Sequence, residues 1–166
     1  HWAQEAIEKL VAAEAIGGYP DGTFKPNQTI SRAEFATILV NAFKLEARDG
    51  RVFNDTANHW ARNSVATAAA YGIVNGYSDS TFGPDDLITR EQMAVMIIKA
   101  AQLTEVKEGG AFADSGKVSS WARTAVITAS VHKIISGYPD NTFRPQNTAT
   151  RAEAATVIVK AVKPAA

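Results

Sequence analysis

Three arginines, Arg32, Arg90 and Arg151, recur inside one short phrase, and their setting is suited to holding an anion. The phrase reads Ile30-Ser31-Arg32-Ala33-Glu34, then Ile88-Thr89-Arg90-Glu91-Gln92, then Ala149-Thr150-Arg151-Ala152-Glu153. Ser or Thr followed three residues later by Glu or Gln is the capping-box pattern. The hydroxyl accepts from the N3 backbone N–H, and the N3 side chain reaches back to the N-cap N–H. Each phrase therefore opens a helix with arginine at its first position. The positive end of a helix dipole and its free N–H groups attract anions, and a guanidinium adds a planar fork that matches a carboxylate. The capping Glu34, Gln92 and Glu153 are expected to be structural.

Other chemistries find less support. The histidines are His1, His59 and His132. The first two precede tryptophans, and no His-Glu-Xaa-Xaa-His spacing or nucleophile elbow occurs. No catalytic residue, metal ligand or cofactor site is assigned, although paired carboxylates meeting across a cleft would leave catalysis open. Calcium fails on spacing. Counting from Asp21 puts Pro26 at position six and Arg32 at twelve, where a calcium loop needs Gly and a bidentate Glu. The same count from Asp79 and Asp140 reaches Pro84 and Arg90, and Pro145 and Arg151.

Composition narrows the class. With 166 residues, 46% of them hydrophobic and 20% charged, the chain reads as globular, with enough length for a core. Lys plus Arg and Asp plus Glu are 17 each, so there is no basic field for nucleic acid or a membrane surface. No run approaches the roughly 18 apolar residues of a membrane span. The absence of cysteine excludes disulfides and suits, among others, exported bacterial proteins. The start at His1-Trp2, inside a helical pattern, reads as a mature or excised fragment.

The elements that must position the arginines repeat with them. Trp2, Trp60 and Trp121 are spaced 58 and 61 apart, as are the arginines, Gly18, Gly76 and Gly137, and Phe24, Phe82 and Phe143. The chain is thus read as one domain, 1–166, of three repeats at about 1–45, 53–103 and 112–163. Each repeat is helix, loop, helix. The first helices are expected at about 2–16, 60–74 and 121–135, with Trp2, Ala6, Ile7, Leu10 and Val11 as one apolar face. Gly18, Gly76 and Gly137 are expected to end them in a left-handed turn. Asp55 and Asp114, in the shared lead-ins Phe53-Asn54-Asp55 and Phe112-Ala113-Asp114, are expected to cap the turn that follows. The second helices are apolar nearly all round, which implies burial on most sides. The expected fold is all-α, three helix-loop-helix repeats in a pseudo-threefold arrangement around a central three-helix bundle. Clefts between the lobes would lie near the arginines. A linear stack of repeats is the alternative.

Three units carrying His-Trp-Ala, Gly-Tyr-Pro-Asp-Gly-Thr-Phe-Lys-Pro and Ser-Arg-Ala-Glu resemble the surface-layer homology domain over almost the whole chain. The resemblance implies a non-enzymatic, secreted module at the bacterial cell wall or S-layer, monomeric as an isolated domain. It implies non-covalent anchoring to an anionic secondary cell-wall polymer, often bearing a pyruvate ketal on N-acetylmannosamine. By the same resemblance, Arg32, Arg90 and Arg151 would contact the sugar in the grooves. Trp2, Trp60 and Trp121 would pack on a sugar face or fill the lobes, and Gly18, Gly76 and Gly137 would admit the ligand to the backbone. Other readings are a protein–protein module for surface-lattice assembly and direct peptidoglycan binding. Repeat two departs from the pattern at Gln92, Ser78 and Gly83, and repeat three at Ala149 and Ser120, so the grooves need not be equivalent.

Overall fold

The computed structural model describes residues 1–162; residues 163–166, which include the expected end of the third repeat, lie outside the described residues. The fold is all-helical: α1 (Gln4–Ala12), α2 (Arg32–Ala42), α3 (Arg62–Ala70), α4 (Arg90–Ala101), α5 (Arg123–Val131) and α6 (Arg151–Ala161). Two short 3-10 turns, Ser115–Lys117 and Ser120–Ala122, precede α5. All three capping boxes form. Ser31, Thr89 and Thr150 accept from the N3 amides at 3.1, 3.2 and 3.1 Å, and the N3 side chains accept from the N-cap amides in return.

The second helices α2, α4 and α6 pack against one another pairwise and form the central bundle. Phe35, Leu39, Met93, Ile97 and Ile158 are fully buried there. Removing such side chains from water contributes about 1.5–3 kcal/mol each. Their all-round apolar character follows from having neighbours on every side.

Each first helix packs on the second helix of the preceding repeat: α3 on α2, α5 on α4, and α1 on α6. A lobe is therefore assembled across a repeat boundary, and the last pairing closes the circle. Three backbone hydrogen bonds at the core repeat that order. Ile88 N–H donates to Ile30 C=O at 3.0 Å, Ala149 to Ile88 at 3.0 Å, and Ile30 to Ala149 at 3.3 Å. All three residues are fully buried. An open stack would keep its first and last repeats apart, so the linear alternative fails. The cyclic order is compatible with a pseudo-threefold axis.

Several local expectations need correction. The first helices are shorter than the hydrophobic pattern suggested, because each ends at a left-handed residue: Glu14 (φ 57°), Gly72 (φ 74°) or Lys133 (φ 58°). Beyond that turn Ile16, Val74 and Ile135 re-enter the core as loop residues, which prolongs the apolar pattern past the helix. Trp2 and Val11 do not belong to the buried face of α1; they are exposed, and Leu10 is its buried residue. Gly18, Gly76 and Gly137 are not the left-handed residues. They are needed where chain meets chain. A Cβ on Gly76 would lie 2.4 Å from the Phe53 ring and 2.5 Å from the Ser78 and Thr81 carbonyls. One on Gly137 would lie 2.5 Å from the Phe112 ring. Asp55 and Asp114 do not cap a following turn either. They reach the loop of their own repeat, where Asp55 accepts from Phe82 and Gly83 N–H, and Asp114 from Phe143 and Arg144 N–H, at 2.8–3.1 Å.

Candidate ligand-binding grooves

Three surface grooves, of about 450, 440 and 450 Å³, contain Arg32, Arg90 and Arg151 respectively. Each is built from all three repeats. In the first, Arg32 of repeat one meets Gly76, Tyr77, Gln92 and Lys99 of repeat two and Trp121 of repeat three. In the second, Arg90 meets Gly137, Tyr138, Glu153 and Lys160, with Trp2 opposite. In the third, Arg151 meets Glu14, Gly17, Glu34 and Asn41, with Trp60 opposite. There the lining glycine is Gly17 in place of Gly18. The tryptophans are 60–67% exposed, so their faces are open to the grooves and they do not fill the lobes.

The arginines are only 4–5% exposed and are held from behind. Arg32 Nε donates to Phe82 C=O at 3.1 Å, Arg90 Nε to Phe143 C=O at 2.8 Å, and Arg151 Nε to Phe24 C=O at 2.9 Å. Each bond joins an arginine to the loop of the next repeat. The guanidinium also lies 4.5–4.8 Å from the ring centroid of Tyr77, Tyr138 or Tyr19, a cation–π arrangement. The helix N-termini themselves are not free to take an anion. The amides of Arg32, Arg90 and Arg151 donate to Asp86, Asn147 and Gln28 carbonyls, and those of Ala33, Glu91 and Ala152 donate to Pro84, Pro145 and Pro26. The capping hydroxyls take the third amide. The expected backbone donors are spent on joining repeats, which leaves the guanidinium as the cationic group that faces each groove from the helix start.

One residue makes the three guanidinium groups unlike. Glu34 and Glu153 each use one carboxylate oxygen for the cap and turn the other to the preceding repeat's arginine. Glu34 accepts from Arg151 Nη1 at 3.1 Å, and Glu153 accepts from Arg90 Nη1. Their Nη2 atoms donate to Gly17 C=O at 3.0 Å and Ser136 C=O at 3.2 Å. Gln92 has a single oxygen, and Thr89 N–H occupies it at 3.0 Å. Its other terminal atom is an N–H donor and cannot pair with an arginine. Among the described residues, neither Nη of Arg32 has a hydrogen-bonding partner. Burial lowers the Arg32 pKa from its ordinary value, opposed by Tyr77, Asp86 and Asp55.

Repeat two also differs beside Arg32. Gly83 (φ 74°) stands where Lys25 and Arg144 adopt the same left-handed backbone. A Cβ at Gly83 would lie 2.4 Å from the Tyr77 ring, so glycine admits the tyrosine there. The Tyr77 hydroxyl donates to Asp86 Oδ2 at 3.1 Å. Sequence reading did not single out Glu14, Asn41, Lys99 or Lys160 as groove residues. The last three share one repeat position, spaced 58 and 61 apart, and that register was the available signal.

The family model for the S-layer homology domain matches residues 1–36, 52–94 and 111–155. The chain belongs to that family. It is similar to the surface-layer 125 kDa protein of Lysinibacillus sphaericus, 34% identical over 98% of this chain and 14% of that protein. It is also similar to the cellulosome-anchoring protein of Acetivibrio thermocellus, 32% identical over 91% of this chain and 36% of that protein. An amylopullulanase of Thermoanaerobacterium thermosulfurigenes is 34% identical over 95% of this chain and 9% of that enzyme. The chain thus spans between 9% and 36% of the length of these relatives. No helix among the described residues is long and apolar enough to cross a membrane.

Proposed function

We propose that this chain is an extracellular anchoring module that attaches a larger protein non-covalently to an anionic glycan of the bacterial cell wall. The family assignment and the relatives named for surface layers and anchoring support the class of function. The relatives with enzymatic names match this chain over 9% to 30% of their lengths, so those names do not make this module catalytic. The Arg32 groove is the anion reader. The observation that carries this is Gln92, which leaves the Arg32 guanidinium without the carboxylate that Arg90 and Arg151 have. Lys99 adds a second positive charge in the lining, and exposed Trp121 offers an aromatic face to a sugar ring.

A pyruvate ketal on N-acetylmannosamine suits such a groove because its carboxylate can take both free Nη donors at once. Further contacts along a repetitive polymer would act at high effective concentration. Calorimetric titration with purified polymer and with the pyruvylated monosaccharide tests the reading. Arg32→Ala is expected to abolish monosaccharide binding, while Arg90→Ala and Arg151→Ala, each checked for folding, retain it. Binding of the polymer alone would keep the anchor and remove the ketal. No binding of either ligand by folded protein would favour a lattice-assembly module.

A further inference from the structure

The three grooves have the same volume and the same plan, yet their fixed charges differ in sign. The lining of the first groove carries Arg32 and Lys99 and no carboxylate, although Asp86 and Asp55 outside the lining act on Arg32. In the second, Arg90 and Lys160 outnumber Glu153 by one. In the third, Glu14 and Glu34 outnumber Arg151 by one, because Asn41 stands where the other grooves carry Lys99 and Lys160. Beyond Glu34 and Trp60 the third groove continues into a hollow of about 590 Å³ lined also by Tyr19, Ser31, Asp85 and Leu87. That extension adds the Asp85 carboxylate, which His59 Nε2 meets at 2.8 Å, and no Lys or Arg.

We infer that the Arg151 groove is a second, chemically distinct subsite that receives an uncharged sugar unit of the glycan, with Trp60 as its stacking wall. The inference rests on the glycan-binding reading proposed above and assigns this groove a different ligand class. A carboxylate entering here would approach Glu14 and Glu34, while the Nη groups of Arg151 are already committed to Glu34 and Gly17. Like charges at short range disfavour that approach. Sugar hydroxyls, by contrast, can donate to the carboxylate oxygens in charge-assisted hydrogen bonds. Glu34 is one-third exposed and Trp60 is 65% exposed, so both are within reach of a ligand. The open continuation past Trp60 lets a chain pass through, as an internal unit of a polymer requires. The two kinds of groove would then read a charged and an uncharged unit of one glycan.

The three tryptophans make the test direct, because each reports one groove through its indole N–H resonance. The whole chain would be titrated by NMR with methyl N-acetylmannosaminide and with its 4,6-pyruvate ketal, after assignment by Trp→Phe variants. The Trp60 resonance is expected to move saturably with the uncharged glycoside and to respond roughly tenfold more weakly to the ketal, a ratio equivalent to about 1.4 kcal/mol. Trp121 should show the opposite preference. In Glu14→Lys/Asn41→Lys, which takes both side chains from sibling positions on the surface, the Trp60 preference should reverse toward the ketal. The inference is overturned if wild-type Trp60 follows the ketal as tightly as Trp121 does, or if it responds to neither sugar. A silent Trp121 would instead overturn the anion-reading role of Arg32, which separates the two failures.

Discussion

At the scale of single residues, an amide in place of a carboxylate decides how much charge a buried guanidinium presents. Glu34 and Glu153 divide their two oxygens between a helix cap and an arginine, whereas Gln92 can serve only the cap. Gln92→Glu supplies the missing oxygen and should pair Arg32 as its siblings are paired. We expect anionic-sugar affinity to fall by about tenfold or more, since a neutralised guanidinium loses its main attraction for a carboxylate. Thermal stability should hold or rise. Unchanged affinity in a titration of this variant would remove Gln92 from the explanation. The capping pattern was readable in the sequence. That the N3 side chain also faces the arginine of the preceding repeat was not, because those residues are 63 and 117 positions apart.

At the scale of elements, two local devices shape each repeat and are separable by mutation. The capping box satisfies amides at the second-helix start, so Thr150→Ala should cost about 1 kcal/mol in chemical denaturation. Gly76 acts through space: a methyl group there meets the Phe53 ring and two backbone carbonyls that cannot easily move. Gly76→Ala should therefore cost about 2 kcal/mol by overpacking. Gly17→Ala, where a Cβ meets nothing within 4 Å, is the control and should be close to neutral by the same measurement. Equal effects at the two glycines would point to chain flexibility, not contact. The helix C-termini were misplaced from sequence for a related reason. Apolar spacing continues through Ile16, Val74 and Ile135, and only the left-handed turn at Glu14, Gly72 and Lys133 shows that these residues are buried from a loop.

At the scale of the whole molecule, the repeats are not independent units, since every lobe and every groove borrows from its neighbours. The backbone ring of Ile30, Ile88 and Ala149 exists only when all three repeats are in place. Their amides should therefore exchange hydrogen last and together, at the rate of global unfolding, in NMR exchange measurements. Earlier exchange at Ile30 alone would mean that repeat one opens by itself. By itself the sequence determined the number and register of the repeats, the capped second helices, the all-α class and the arginine at the start of each second helix. All of these depend on residues close in the chain or on a pattern repeated along it. Tertiary structure alone decided that the ring closes, that the helix N-termini are consumed by neighbouring loops, and that the tryptophans stand open. It also decided that three equal grooves differ in charge. Those outcomes depend on which side chains from different repeats meet, and closing the ring brings together residues such as Arg151 and Gly17, 134 positions apart.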